Sequence, residues 1–404
     1  SGPKSASSRI YTARFPSMFE MYEELAGDQE DAVESMENMY EKAQKLQEKL
    51  DEMALEMRRA EEIDWQQKQE IEDALKTQKE IQEEMEEFSE KLDEMISNME
   101  KNDLVSAETM KKYEELQQLV QEIMSPELQQ AMEKVSEAMR NLDQKMVQKA
   151  LEEFKLTQED LNKSLDRSIA LMKKLKMEQE LDQAVRMAED LLERQEQIQE
   201  NMESKEQSSE RSASEQEKIN KDVDNLSQQL DELNKEMNDM PGMPQEQIAE
   251  AQSQLSDEEF KKQLEQMQQN MESGEMGQNQ QMSQNVQQQM QNALEQLQQA
   301  KSSMSGAMQR QMMQAMKQAT NNLLQLSKQQ ENLMRQTQGM PKNSPQISEL
   351  AEKQNNMSAA LSRTLDQMFQ ASKQNVFMSS KIGQSLGKAS SSMQKSQQQF
   401  EERN

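Results

Sequence analysis

From Glu30 to Met99 the apolar residues keep one rhythm, and that rhythm leaves few folds open. Met36, Met39, Ala43, Leu46, Leu50, Met53 and Met57 stand at alternating steps of three and four. After a break at residues 60–64, Ile81, Met85, Phe88, Leu92, Met95 and Met99 repeat the pattern. Such spacing lines one side of a helix with apolar side chains, which need a second helix to cover them. Two runs around a short interruption predict a long antiparallel helical hairpin. The expected fold class is therefore all-α: an elongated helical hairpin or coiled-coil assembly, carrying a short N-terminal β-strand arm.

That arm occupies residues 1–16. Ser8 to Phe15 alternates and is β-branched and aromatic enough for a strand, and one strand cannot form a sheet alone. It reads as the tail of a missing upstream β domain, or as an arm pairing elsewhere. Residues 17–203 form an acidic hairpin or bundle. Within it Ser17–Ala26 is a short helix, with Gly27 as its stop and Asp28 as the next cap. Asp64-Trp-Gln-Gln67 has capping-box form, placing Trp65 at the hairpin tip. Ser106 opens a third helix through Met124, and Ser125-Pro126 a fourth, with proline where a missing N–H costs nothing. The seam of the fourth is Leu128, Met132, Val135, Met139, Leu142 and Met146. Thr157–Asp160 restarts or continues the helix, which runs through Leu161, Leu165, Ile169 and Met172 to about Met202.

Residues 204–277 open on a polar, Ser-rich stretch, Glu203–Ser214, that reads as a hinge. Here Ile219, Val223, Leu226, Leu230, Leu233, Met237 and Met240 make the cleanest heptad of the chain, ended by Pro241-Gly-Met-Pro244. Ser256-Asp-Glu-Glu259 caps a short helix that Gly274 and Gly277 close. Residues 278–340 turn to Gln, Met, Ser and Asn. The series Val286, Met290, Ala293, Leu297, Ala300, Met304, Met308 persists, so this is a polar helix. Residues 341–404 hold a last helix, with Leu350, Met357, Leu361, Leu365 and Met368 in step, and a frayed Ser/Gln-rich tail. No strict sequence repeat is evident; the units resemble one another in pattern.

Composition narrows the chemistry. Only 33% of the 404 residues are hydrophobic, which favours thin helical layers over large globular cores. The net charge of −29 is uneven: residues 1–300 carry 34 Lys+Arg against 70 Asp+Glu, and residues 301–404 carry 13 against 6. An acidic body disfavours nucleic acid as a partner, because phosphate contacts need clustered Lys and Arg. The weakly basic end could meet an acidic partner, an anionic membrane or the body itself, or be a solvated face with fewer Glu. No stretch approaches ~18 consecutive apolar residues, so no transmembrane helix or signal peptide is expected here. A first residue of Ser fits a processed chain or a piece of a larger one.

With no His and no Cys, nucleophilic triads, Cys/His zinc sites and Glu-x-x-His di-iron sites are excluded. No phosphate-cradling glycine loop is present. Glu83-Glu-Met-Glu-Glu87 lacks the spacing of a calcium loop and reads as a solvated acidic face. No catalytic, cofactor or metal site is expected.

The 37 Met residues have three readings. They fill helix seams; they line an adaptable groove for apolar partners; or Met304, Met308, Met312 and Met316, every fourth residue, bind Cu(I). The seam accounts for the same spacing. The groove reading centres on Met304–Met316 beside Gly306. A methionine core also specifies geometry weakly, which implies some plasticity.

Several motifs carry a resemblance across about half the chain. They are Gly2-Pro-Lys-Ser5 with Tyr11-Thr-Ala-Arg-Phe-Pro16, Phe19-Glu-Met-Tyr22, Asp64-Trp65 with Lys68-Gln-Glu70, Lys112-Tyr-Glu-Glu-Leu116 and Ile123-Met-Ser-Pro-Glu-Leu128. On these the chain resembles bacterial membrane-anchored proteins of unknown function with a long coiled-coil C-terminal half. The resemblance implies an N-terminal anchor and immunoglobulin-like domains ahead of the coiled coil, and genes near MoxR-type AAA ATPases and von Willebrand A-domain proteins. It implies a bacterial envelope location, on the periplasmic side, with membrane attachment only through a segment outside this chain. It supplies no catalytic residues. The expected function is a non-enzymatic spacer, scaffold or filament subunit, whose partners are further copies of itself or other helical envelope proteins. Self-association is expected through Ile219, Val223, Leu226, Leu230, Leu233 and Met237, which lack an obvious intramolecular partner, and through Met304, Met308, Met312 and Met316. The alternative is a Met-lined clamp for client segments, serving an AAA ATPase.

Overall fold

Asp64 shows how locally the helices are specified. Its Oδ1 accepts the Gln67 N–H at 2.8 Å, and Gln67 Oε1 accepts the Asp64 N–H at 3.2 Å, so two orphan donors are satisfied reciprocally. Ser106 Oγ takes the Thr109 N–H at 3.1 Å, and Asp257 Oδ1 takes those of Glu259 and Phe260 at 3.0 Å. The computed structural model describes residues 18–58, 63–102, 104–124, 126–141, 143–204, 209–238, 240, 243–274, 279–338 and 346–372, with 389, 392, 393 and 396 singly. The strand expected at Ser8–Phe15 lies outside the described residues, among which there is helix and no strand.

Two antiparallel four-rod bundles follow one another along the chain. The first consists of α1 (Met18–Met57), α2 (Trp65–Lys101), a broken third rod of α3 (Ala107–Ile123) and α4 (Pro126–Asn141), and the first half of α5 (Gln144–Ser204). Pairs from Lys173–Glu37 to Arg58–Glu152 run α1 antiparallel to α5, and Lys134–Glu153 does the same for α4. The second bundle repeats the plan. Its rods are the far half of α5, then α6 (Ser209–Met237), a broken rod of α7 (Gln245–Ser256) and α8 (Glu258–Ser273), and the first half of α9 (Asn279–Thr337). Arg194–Asp222, Lys261–Asp224 and Lys301–Asp182 set these rods antiparallel in turn. At both breaks the new helix begins two residues before a core residue, Leu128 after Pro126 and Phe260 after Glu258. The far half of α9 packs on α10 (Gln346–Ser372) through a smaller core of Leu326, Leu333, Leu350, Met357 and Leu361.

Each long helix thus serves two cores. At 61 residues α5 would run ~90 Å, and the core contacts of the first bundle pass to those of the second between Leu175 and Met177. Its middle is buried on all sides, because the two bundles cover different faces of it, and no single apolar stripe marks it.

Several expectations are corrected. Gly27 does not stop a helix: α1 runs through it, with Gly27 on the exposed side while Tyr22, Leu25 and Gln29 bury the other. A glycine there costs about 1 kcal/mol against alanine, less than the burial that spans it. Trp65 does not pack at the tip; it is 77% exposed. The seam of α4 does not continue to Met146, which is exposed, because Asp143 caps a new helix by accepting the N–H groups of Lys145 and Met146. Asp257, not Ser256, caps α8, and a further helix, α7, precedes it.

Candidate functional site

Where the two cores meet on α5, a belt of buried polar side chains crosses the molecule. Gln29 of α1 donates from Nε2 to the Tyr113 hydroxyl of α3 and to Gln179 Oε1 of α5. Lys112 of α3 pairs with Glu178 of α5, both largely buried, and with the exposed Glu108 at 3.2 Å. Burial alone lowers the Lys112 ammonium's pKa, but Glu178 and Glu108 outweigh it and the net direction is upward. Thr109 donates to Asp182 Oδ2 at 3.3 Å, and Lys301 of α9 reaches Asp182 Oδ1 at 2.7 Å. Burial brings Lys174 down to about 8, against the pull of Glu178 and with the push of Lys112.

Interleaved with these residues on α5, Lys176 bridges Glu180 at 3.6 Å and Glu236 of α6 at 3.1 Å. Burial pushes the Glu180 carboxyl up to about 7; Glu236 and Glu232 add to the rise and Lys176 opposes it. A carboxyl whose folded value exceeds its ordinary 4.5 keeps its proton in the folded state after the unfolded chain has lost it. Stability therefore falls as pH rises from 4.5 to about 7, by up to roughly 3 kcal/mol, and is flat outside that window for this group. Glu180→Gln is expected to remove that slope, so urea midpoints of variant and parent should coincide near pH 4.5 and separate, variant higher, by pH 8. Equal separation at both pH values would show that Glu180 does not titrate this way.

The residues expected to self-associate fall into two sets. Ile219, Val223, Leu226, Leu230, Leu233 and Met237 are all at most 3% exposed, inside the second core with Ile248, Leu255, Phe260 and Leu264. The reading that this seam lacks an intramolecular partner is corrected: α7 and α8 cover it. Met304 joins the same core, and Met316 packs separately with Ala319 and Met368. The side chains of Met308 and Met312 lie outside the described residues. Met304 and Met316 thus serve different cores, ~18 Å apart along α9.

Between α9 and α10 lies a cleft of ≈ 300 Å³, lined mainly by Asn322, Gln325, Gln329, Arg363 and Gln367, with Leu326 and Ala360. Among the described residues no three carboxylates converge on a point that could hold a metal ion, and no helix is long and apolar enough to cross a membrane.

Polar residues at seam positions are a signal that apolar spacing does not carry: Gln29 and Thr109 in the belt, and Gln78 and Gln158 deeper in the first bundle, are all buried. Compared with protein-family models, curated proteins and solved structures, the chain matches none. The architecture that can be stated is a helical bundle of two four-rod units with a distal helix pair.

Proposed function

We propose that this protein is a non-enzymatic spacer or scaffold that works by helix-to-helix association with further copies of itself, at the bacterial cell envelope. The observation that carries the reading is the sharing of α5 and α9 between successive cores. A helix common to two bundles transmits bending and twist between them, as a loop linker would not. The envelope location rests on the family resemblance alone. Filled cores and a polar cleft give a small substrate little purchase.

The clamp reading has one observation in its favour, the exposure of Met313 and Met334 on distal α9, at 66% and 61%. The cleft between α9 and α10 is polar and does not include them, which suits an apolar client poorly. Small-angle scattering with light scattering on the full chain, over a range of concentrations, separates the two. A scaffold gives an extended particle whose mass grows with concentration. A chain that stays monomeric throughout defeats the scaffold reading.

A further inference from the structure

On distal α9, Arg310, Lys317, Lys328 and Arg335 are all exposed. Their steps of seven, eleven and seven place them within about 20° of one another around a helix of 3.6 residues per turn. Together they make a basic stripe ~37 Å long. Among the described residues none has an ion-pair partner, although twenty ion pairs join other described residues. Met313 and Leu324, 66% and 57% exposed, lie beside the stripe, and Glu331 is its one flanking acid. The opposite side of α9 is the one that packs on α10, through Leu326 and Leu333.

The outer face of α2 carries the complementary pattern. Trp65, Glu72, Glu83 and Glu90 are exposed and stand at the same steps of seven, eleven and seven. Glu86, Glu87 and Glu94 flank them; the cations on that face are Lys68, half-buried in the first turn, Lys76 and Lys79, each paired within α2, with Glu80 and Glu83, and Lys101 at the helix end beyond the Glu90 position. Trp65 is the only tryptophan of the chain, and its ring is left in solvent.

We propose that the basic stripe of distal α9 docks against the acidic outer face of α2 in a second copy of this chain. The inference rests on the self-association reading and names its surface. Charge complementarity and matched spacing carry it. In an antiparallel register Lys328 meets Glu72, Lys317 meets Glu83, Arg310 meets Glu90, and the Arg335 guanidinium lies over the Trp65 ring, where cation–π attraction adds to the ion pairs. The two faces belong to different parts of the chain, so the contact is head-to-tail and extends into an open series or a ring.

The test uses the full chain by light scattering and Trp65 fluorescence. Association is expected at about 0.05 M salt and to weaken at least tenfold at about 0.5 M, with Trp65 emission shifting as copies dock. A Lys317→Glu, Lys328→Glu variant and a Glu72→Lys, Glu83→Lys variant should each fail to associate at the lower salt, with unchanged thermal midpoints. A mixture of the two should associate again, because the reversed stripe of one meets the reversed face of the other. Association unaffected by either variant overturns this docking while leaving the scaffold reading intact. A chain that never associates overturns both. A chain that stays monomeric but binds vesicles containing anionic phospholipid through the stripe makes a lipid surface the occupant, and overturns the second copy.

Discussion

Leu230→Ala is expected to lower the stability of the full chain by about 2–5 kcal/mol without changing its state of association. Leu230 has no exposed surface and sits mid-seam on α6, in the core completed by α5, α7, α8 and α9. Truncation removes three heavy atoms' worth of dispersion contact, and the rods around the gap are tied to other layers, so collapse into it is limited. Urea unfolding followed by circular dichroism, with light scattering on the same samples, reads both quantities. If the seam instead joined two copies, the same variant would dissociate the assembly while the monomer's midpoint barely moved. The variant therefore decides whether the most regular heptad of the sequence is an internal core or an interface.

That heptad shows where sequence reading ends. Periodicity specifies which side of α6 is buried, and the structure buries that side. It does not specify what covers it, because a seam looks the same whether its partner is α8 of the same chain or a helix of another. Caps were more legible than partners: Asp64, Ser106 and Pro126 stand where their local chemistry puts them, since a cap is settled within four residues. The middle of α5 was least legible. Buried on every side by two bundles in succession, it carries no stripe, and its Lys174, Glu178 and Asp182 look from the sequence like a solvated face. The stripe on α9 is hidden for the opposite reason: its cations recur at seven and eleven on a face that apolar spacing does not mark.

Lys112→Met is expected to cost about 3–5 kcal/mol, the largest effect of any single polar substitution in the belt. The Lys112 and Glu178 side chains are 9% and 12% exposed, so the change strands a carboxylate in a poorly hydrated place. Lys174, which also acts on Glu178, offsets part of that penalty and pulls the loss toward the lower figure. The pair itself contributes little net stability, since desolvating two charges cancels most of their attraction. Lys112→Met combined with Glu178→Leu should therefore regain most of what the single change loses, and the double-mutant cycle should show a coupling of a few kcal/mol. The pH dependence follows. In the parent, the raised Lys112 value means its contribution is complete below its ordinary 10.5 and is lost only as pH rises through the higher folded value. A deficit undiminished in the double variant would mean that packing of the Lys112 stem, not its charge, holds α3 to α5.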